Sequence, residues 1–171
     1  MEENGKTLEE NASLKAKAYL SKTKNMIVMA DDTGIEIDAL NGEPGIHARR
    51  WKNHKTVMTD EEIINYCLER LKGVPKGKRG AIFKTVIALA IPGKVKIELF
   101  SGTLQGVISE KPSRYRKEGL PFETIFFIPK LDMFLGQVHR LPPGKNRKYL
   151  THREKAVQKA LARIKELPRF T

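Results

Sequence analysis

Three segments of this 171-residue sequence begin with a threonine that is followed three residues later by a glutamate. The pairs are Thr7 with Glu10, Thr59 with Glu62, and Thr151 with Glu154. In this pattern the two side chains satisfy backbone N–H groups that the first turn of a helix leaves without partners. Apolar residues then recur at amphipathic spacing, most clearly after Thr59 and Thr151. The sequence therefore predicts three helices that begin at these positions.

Runs rich in β-branched and other apolar residues predict strands between these helices. They lie at 26–30, 35–39, 81–91 and 95–108, and a further apolar run spans 124–129. Long strands mixed with helices indicate an α/β fold with a mixed central β-sheet flanked by helices. Because the chain shows no internal repeat and no second boundary, we expect a single domain over 1–171.

The charge balance favours a partner that carries negative charge. The chain has 32 Lys and Arg against 20 Asp and Glu, a formal net charge of +12. Its basic residues concentrate at 72–80, 111–117 and 140–155, where Gly, Pro and Ser predict loops. Only Tyr115 and Tyr149 place aromatic rings in these segments, whereas nucleic-acid platforms need several for base stacking. We therefore expect a phosphate-bearing small molecule and no specific nucleic acid, with a basic nucleic-acid-binding protein as the alternative.

Cysteine content and hydropathy indicate a cytoplasmic protein. The single cysteine, Cys67, lies in the apolar stripe of a predicted helix, which excludes a disulfide framework and favours a reducing compartment. No apolar stretch approaches the roughly 20 residues that a membrane span needs. The first residues are acidic and polar, unlike a signal peptide. We expect no association with a membrane.

Two adjacent carboxylates, Asp31 and Asp32, follow the apolar run at 26–29 in the sequence Ala-Asp-Asp-Thr-Gly. One interpretation is a turn, because Asp-Thr-Gly suits a chain reversal in which Gly34 takes a positive φ.

The other interpretation is a metal and water site. Mg²⁺ is commonly bound by one or two carboxylates together with substrate phosphates, and Glu10 and Asp32 could supply the carboxylates. Asp32 could also act as a general base toward water. For Glu10 the alternative role is that of the capping glutamate.

The Thr-His-Arg sequence at 151–153 suggests an oxygen-binding helix start. If Thr151 caps the helix, His152 and Arg153 lie in the first turn, where the helix dipole favours anionic or carbonyl oxygens. An arginine there can donate to O6 and N7 of a 6-oxopurine, as arginine does to guanine. The amino group of adenine would face that donor unfavourably, which is one route to rejecting ATP. A surface position is the alternative for His152.

Four segments in this order carry a resemblance to a known family. They are "TLEENASLKAKA" at 7–18, "ADDTGIEIDALNGEPGIHARRW" at 30–51, "EGLPFETIFFIP" at 118–129 and "THREKAV" at 151–157. On these segments the chain resembles the Ham1-type nucleoside triphosphate pyrophosphatases. The resemblance implies Mg²⁺-dependent hydrolysis of ITP, dITP and XTP to the monophosphate and pyrophosphate. It also implies a homodimer.

The resemblance assigns roles to individual residues. Asp32 is the implied proton acceptor, and Glu10 and Asp32 are the implied ligands of Mg²⁺. The implied substrate-binding residues are Thr33, Arg50, Leu120, Pro121, Phe122, Glu123, Lys148, His152 and Arg153.

Several positions depart from the family pattern. Ala48 stands where relatives usually have serine, and Arg50 could equally be a surface cation. The base-pocket motif Gly-Phe-Gly-Tyr-Asp-Pro reads Gly-Leu-Pro-Phe-Glu-Thr here, so Glu123 keeps the acid but adds one methylene. These apolar residues could instead continue a core strand. The loop before Thr151 is longer than usual, which leaves Lys145 as an alternative to Lys148.

The start of the sequence also departs from the family. Relatives begin with a strand, a Ser/Thr-Gly-Asn loop and a lysine that binds the triphosphate, and this sequence begins after those elements. We therefore expect a sheet without the N-terminal strands. A catalytically impaired or inactive family member is a second alternative.

Overall fold

A computed structural model describes residues 5–23, 25–142 and 149–167. The helices are α1 (Leu8–Leu20), α2 (Asp60–Arg70), α3 (Leu135–Val138) and α4 (His152–Lys165). The strands are β1 (Val28–Ile37), β2 (Pro44–Gly45), β3 (Gly80–Ala90), β4 (Glu98–Ile108), β5 (Phe126–Ile128) and β6 (Met133–Phe134). They form one six-stranded sheet in the order β2-β1-β3-β4-β5-β6, in which β1 and β2, β4 and β5, and β5 and β6 pair antiparallel. The predicted α/β fold is confirmed.

The three predicted helix starts are confirmed, each with its threonine as N-cap. Thr59 and Thr151 form the complete reciprocal pair with their glutamates. At α1 the Thr7 hydroxyl accepts the N–H of Glu10 at 3.1 Å, but the Glu10 carboxylate accepts the N–H of Lys6 at 2.6 Å. Across the described ranges, no helix is long and apolar enough to cross a membrane.

The Asp-Thr-Gly turn is a wrong prediction, because β1 (Val28–Ile37) continues without a break from the predicted strand at 26–30 into the one at 35–39. Sheet pairing keeps the segment extended: the hydroxyls of Thr33 and Thr85, on the neighbouring strand β3, lie 2.7 Å apart. The chain turns only afterwards, at the 3-10 helix Asp38–Leu40. The two adjacent carboxylates therefore lie within a paired strand.

The chain divides into two compact units, and both take residues from β1, β3 and β4. The first unit contains Met1–Thr33, Lys84–Leu104 and Leu150–Thr171. The second contains Gly34–Phe83 and Gln105–Tyr149. The single domain over 1–171 stays a prediction.

In the first unit, helix α4 packs on strands β3 and β4. The buried residues Ile87, Ala156 and Ala160 form the contact, with Phe100 and Val157 packed against them. The small side chains of α4 let the helix lie close to the sheet, which fixes the position of its first turn.

The core of the second unit contains a cluster of aromatic rings. The Trp51 ring centroid lies 5.2 Å from that of Tyr66 and 5.9 Å from that of Phe122. The Phe83 ring lies 6.4 Å from Phe122 and 4.8 Å from Phe126. Most of these contacts are edge-to-face or tilted, as ring quadrupoles favour. The cluster joins α2 and the loop after β2 to the residues around β5.

Arg79 departs from the interpretation of 72–80 as a solvated basic loop. Its side chain is only 4% exposed. Its guanidinium donates to the carbonyl oxygens of Leu71 at 2.7 Å, Ile108 at 2.8 Å and Ser109 at 3.0 Å. Arg79 therefore joins the end of α2 to the end of β4 and is not a cation that solvent or phosphate can reach.

Cys67 is fully buried on α2, and burial raises the pKa of its thiol to about 12. Because the thiolate is the reactive form, we expect the native protein to leave DTNB unreacted at pH 8 over an hour. After addition of 6 M guanidinium chloride, one thiol per chain should react. Stoichiometric labelling of the native protein would contradict this burial.

Candidate active site

The two adjacent carboxylates of β1 point to opposite faces of the strand, as successive side chains do. On one face, Asp32 accepts from Lys15 Nζ at 2.7 Å and from Asn11 Nδ2 at 3.3 Å. Lys15 also donates to the carbonyl oxygen of Asp31 at 3.2 Å. The Asp32 side chain is 11% exposed, so helix α1 fixes both carboxylate oxygens in a largely buried position.

On the opposite face, Asp31 and Thr33 contact the first turn of α4. Arg153 Nη2 lies 3.0 Å from Asp31 Oδ2 and 3.4 Å from Thr33 Oγ1. The Asp31 side chain is 41% exposed, against 11% for that of Asp32. The structure therefore brings together two predicted substrate-binding residues, Thr33 and Arg153, and Asp31 contacts the same guanidinium.

The start of α1 presents two glutamates with different partners. Glu9 accepts from Lys84 Nζ at 2.7 Å, and this hydrogen bond holds the pKa of the Glu9 carboxyl below its usual value. Glu10 is exposed, and its carboxylate accepts the N–H of Lys6. Glu9 therefore forms an ion pair with Lys84, whereas Glu10, which precedes Asn11 in the sequence, is exposed to solvent.

The two predicted ligands of Mg²⁺, Glu10 and Asp32, both belong to the first unit, and each carboxylate accepts a hydrogen bond from the protein. Within the part of the chain that the structure describes, no group of three or more His, Cys, Asp or Glu side chains could hold a metal ion. Mg²⁺ does not need such a group, because one or two carboxylates with substrate phosphates and water complete its six ligands. The carboxylates of Glu10 and Asp32 match that smaller set.

A glycine of β4 allows the first turn of α4 to approach the sheet. A Cβ atom at Gly102 would lie 2.2 Å from the carbonyl oxygen of His152 and 2.8 Å from the backbone nitrogen of Ala156. His152 is 5% exposed, so the alternative of a surface histidine is wrong. The predicted lysines Lys145 and Lys148 lie outside the described residues.

In the second unit, the predicted base-pocket residues form a 3-10 turn, Pro121–Thr124, that leads to β5. Leu120 is half-buried, whereas Pro121, Phe122 and Glu123 are buried. The Phe122 ring packs on Trp51 in the aromatic cluster. The alternative of a core strand is therefore wrong in its secondary structure, although Phe122 does belong to the core.

Arg50, in the loop after β2, is exposed, whereas its neighbour Arg49 contacts the start of α2. Arg49 Nη1 donates to Asp60 Oδ1 at 2.6 Å, and Asp60 Oδ2 accepts the N–H of Gly119 at 2.8 Å. This chain of contacts ties the loop and the start of α2 to the residue before Leu120.

Sequence reasoning missed several of these residues. Lys15 and Asn11 were not among the predicted site residues, although their spacing of four places them on one face of α1, where a shared partner is possible. Arg49 and Asp60 carried no comparable signal, because their contacts join segments that are distant in sequence.

Comparison with known proteins gives consistent matches. A model of the Ham1 family matches residues 1–163. The chain is 36% identical over 157 residues to the dITP/XTP pyrophosphatase of Staphylococcus aureus. The matched segment covers 92% of this chain and 74% of that protein.

Solved structures of related proteins superpose on the chain. The Staphylococcus aureus Ham1 protein matches with a TM-score of 0.75 and 36% identity, covering 96% of this chain and 79% of that one. A HAM1 protein from Coxiella burnetii matches with a TM-score of 0.78 and 30% identity, covering 98% and 81% respectively.

Proposed function

The chain belongs to the Ham1 family, and we propose that it hydrolyses ITP, dITP and XTP to the nucleoside monophosphate and pyrophosphate. The names of its relatives as dITP/XTP pyrophosphatases support this substrate class. The observation that carries the proposal is the Asp32 carboxylate, which Lys15 and Asn11 orient from α1. A carboxylate fixed in this way is suited to accept a proton from water.

In the proposed reaction, water attacks the α-phosphorus of the triphosphate. The water oxygen forms a bond to phosphorus, the bond from phosphorus to the bridging oxygen breaks, and pyrophosphate leaves with that electron pair. Asp32 accepts the proton that the water loses. Since Lys15 and Asn11 bind one carboxylate oxygen each, the orientation of Asp32 is set before the substrate binds.

We assign the cation to Glu10 and Asp32, with Mg²⁺ as the proposed ion. When bound, Mg²⁺ neutralises charge on the phosphate oxygens. The solvent-facing carboxylate of Glu10 supports this assignment, since substrate phosphates must reach the same ion.

Glu10→Gln tests the cation assignment. Because even outer partners of a metal ligand change metal affinity about 10- to 100-fold, loss of a ligand should raise the Mg²⁺ concentration for half-maximal ITP turnover at least about tenfold. Glu9→Gln is the matched control, because that carboxylate pairs with Lys84, and it should shift the Mg²⁺ requirement less than about threefold. If both variants needed the same Mg²⁺ concentration, Glu10 would not be a ligand of the cation. Full turnover in excess EDTA would exclude a metal from the mechanism.

We assign recognition of the 6-oxopurine to Arg153 and His152, together with the residues from Leu120 to Glu123. Thr33, Arg50 and Lys148 are assigned to the rest of the substrate. The contact of Arg153 with Asp31 and Thr33 supports its role, because it holds a guanidinium in the first turn of α4. We further propose that the protein acts as a cytoplasmic homodimer, as the family resemblance implies.

A further inference from the structure

Glu123 is a buried acid, and one of its carboxylate oxygens contacts a histidine. Its side chain is 9% exposed, and its Oε1 lies 2.7 Å from Nδ1 of His139, the residue that caps the end of α3. When Glu123 is ionised its oxygens only accept hydrogen bonds, and the imidazole then donates from Nδ1. The contact joins the turn Pro121–Thr124 to α3 inside the second unit.

The second oxygen of Glu123 has no such partner. Oε2 is buried, and no hydrogen-bond donor among the described residues reaches it. Glu123 and His139 both line a cavity of about 250 Å³, whose wall also includes Tyr115, Gly136 and Arg140. A buried carboxylate oxygen without a donor is costly, and a ligand that brings an N–H group removes that cost.

A glycine of α3 allows the close approach of His139 and Glu123. Gly136 keeps α3 close to the turn, since a Cβ there would lie 3.3 Å from the Glu123 carbonyl oxygen. The glutamate and the histidine therefore act as a pair.

We propose that His139 is a positioning residue for purine recognition. It binds Oε1 of Glu123 and leaves Oε2 to accept the N1–H group of a 6-oxopurine. This inference rests on the proposed function, because it needs a purine substrate at the turn Pro121–Thr124. Adenine carries an acceptor at N1, which would face the carboxylate oxygen without a proton between them, so the same pair disfavours ATP.

Steady-state kinetics of His139 variants test the inference. A hydrogen bond to a charged group contributes roughly 1.5–3 kcal/mol, so His139→Ala should raise KM for ITP about tenfold or more, with kcat within about threefold. The ratio of kcat/KM for ITP over ATP should fall by a similar factor. His139→Asn keeps a donor near the Nδ1 position and should restore most of both values. In the His139→Ala background, Glu123→Gln should add less than about threefold, because the pair is already broken.

Trp51 provides a readout that does not depend on activity. It is the only tryptophan, it is 3% exposed, and its ring contacts Phe122, the residue before Glu123. If His139 fixes the turn, His139→Ala should raise acrylamide quenching of Trp51 about twofold, and His139→Asn should reverse the change. Lys130→Ala is the control, because Lys130 is exposed, belongs to the same unit and is not one of the residues that line the cavity.

The two readouts separate failure of this inference from failure of the proposed function. If the unmodified chain does not hydrolyse ITP, the proposed function and the purine contact both fail, while quenching still decides whether His139 fixes the turn. If ITP is hydrolysed but His139→Ala matches Lys130→Ala in KM and in quenching, the inference is overturned. If only quenching changes, His139 supports the fold alone and its role in recognition is overturned.

Discussion

Replacement of Asp32 by asparagine is expected to lower kcat for ITP hydrolysis by about 10² to 10⁴, the range for loss of a positioned general base. Asparagine keeps the size of the side chain and an oxygen that can accept from Lys15. It cannot accept a proton from water at neutral pH. Initial rates of pyrophosphate release at saturating ITP and Mg²⁺ measure the effect.

Asp132→Asn is the matched control for this substitution. Asp132 is exposed and has a φ of 53°, in the left-handed region that asparagine also adopts. Its rate should stay within about twofold of the unmodified protein, since surface substitutions away from special features have small effects. If Asp32→Asn and Asp132→Asn had the same rate, Asp32 would have no part in proton transfer, and its bonds to α1 would be its whole role.

Replacement of Arg79 by methionine is expected to lower the free energy of unfolding by about 2 kcal/mol. Methionine fills a similar volume but removes the guanidinium from the carbonyl oxygens of Leu71, Ile108 and Ser109. The Leu71 oxygen keeps the N–H of Val74, and the Ser109 contact is partly buried. The main loss is therefore at the buried Ile108 oxygen. Each buried polar group left unpaired costs about 1–3 kcal/mol. Urea denaturation, followed by circular dichroism, measures the change as a lower midpoint with the same slope.

Lys78→Met is the control for Arg79→Met, because it removes one positive charge from the adjacent, exposed position. The free energy of unfolding of this variant should stay within about 0.5 kcal/mol of that of the unmodified protein, the range of a surface substitution. Equal midpoints for the two variants would mean that the carbonyl oxygens find other donors when Arg79 is removed.

Local chemistry was sufficient to predict α1, α2, α4 and the long strands, but it did not predict α3, β2 or β6. Each Thr-x-x-Glu pair acts within one turn, so its neighbours in sequence are its partners in space. The Asp-Thr-Gly segment shows where this reasoning fails. Its residues prefer turns in isolation, but pairing with neighbouring strands keeps β1 extended through them. Such pairing joins residues far apart in sequence, as with Thr33 and Thr85.

Site residues that belong to a sequence motif could be predicted. Residues whose role depends on a partner far away in sequence could not. Asp32 and Arg153 belong to motifs, whereas Lys15 gains its role only because α1 packs on β1. Arg79 lay in a segment whose composition indicated a solvated loop, and only its burial shows that it binds backbone carbonyls. His139 likewise gains its partner through the folding of α3 against the turn Pro121–Thr124.

The central claim is that the chain directs water to the α-phosphorus of a 6-oxopurine triphosphate. Hydrolysis of ITP by the purified chain in ¹⁸O-labelled water with Mg²⁺, followed by mass spectrometry of the products, tests it most directly. The account predicts IMP that carries one ¹⁸O atom and an equal amount of unlabelled pyrophosphate. Label in pyrophosphate, formation of IDP and phosphate, or no turnover would contradict it.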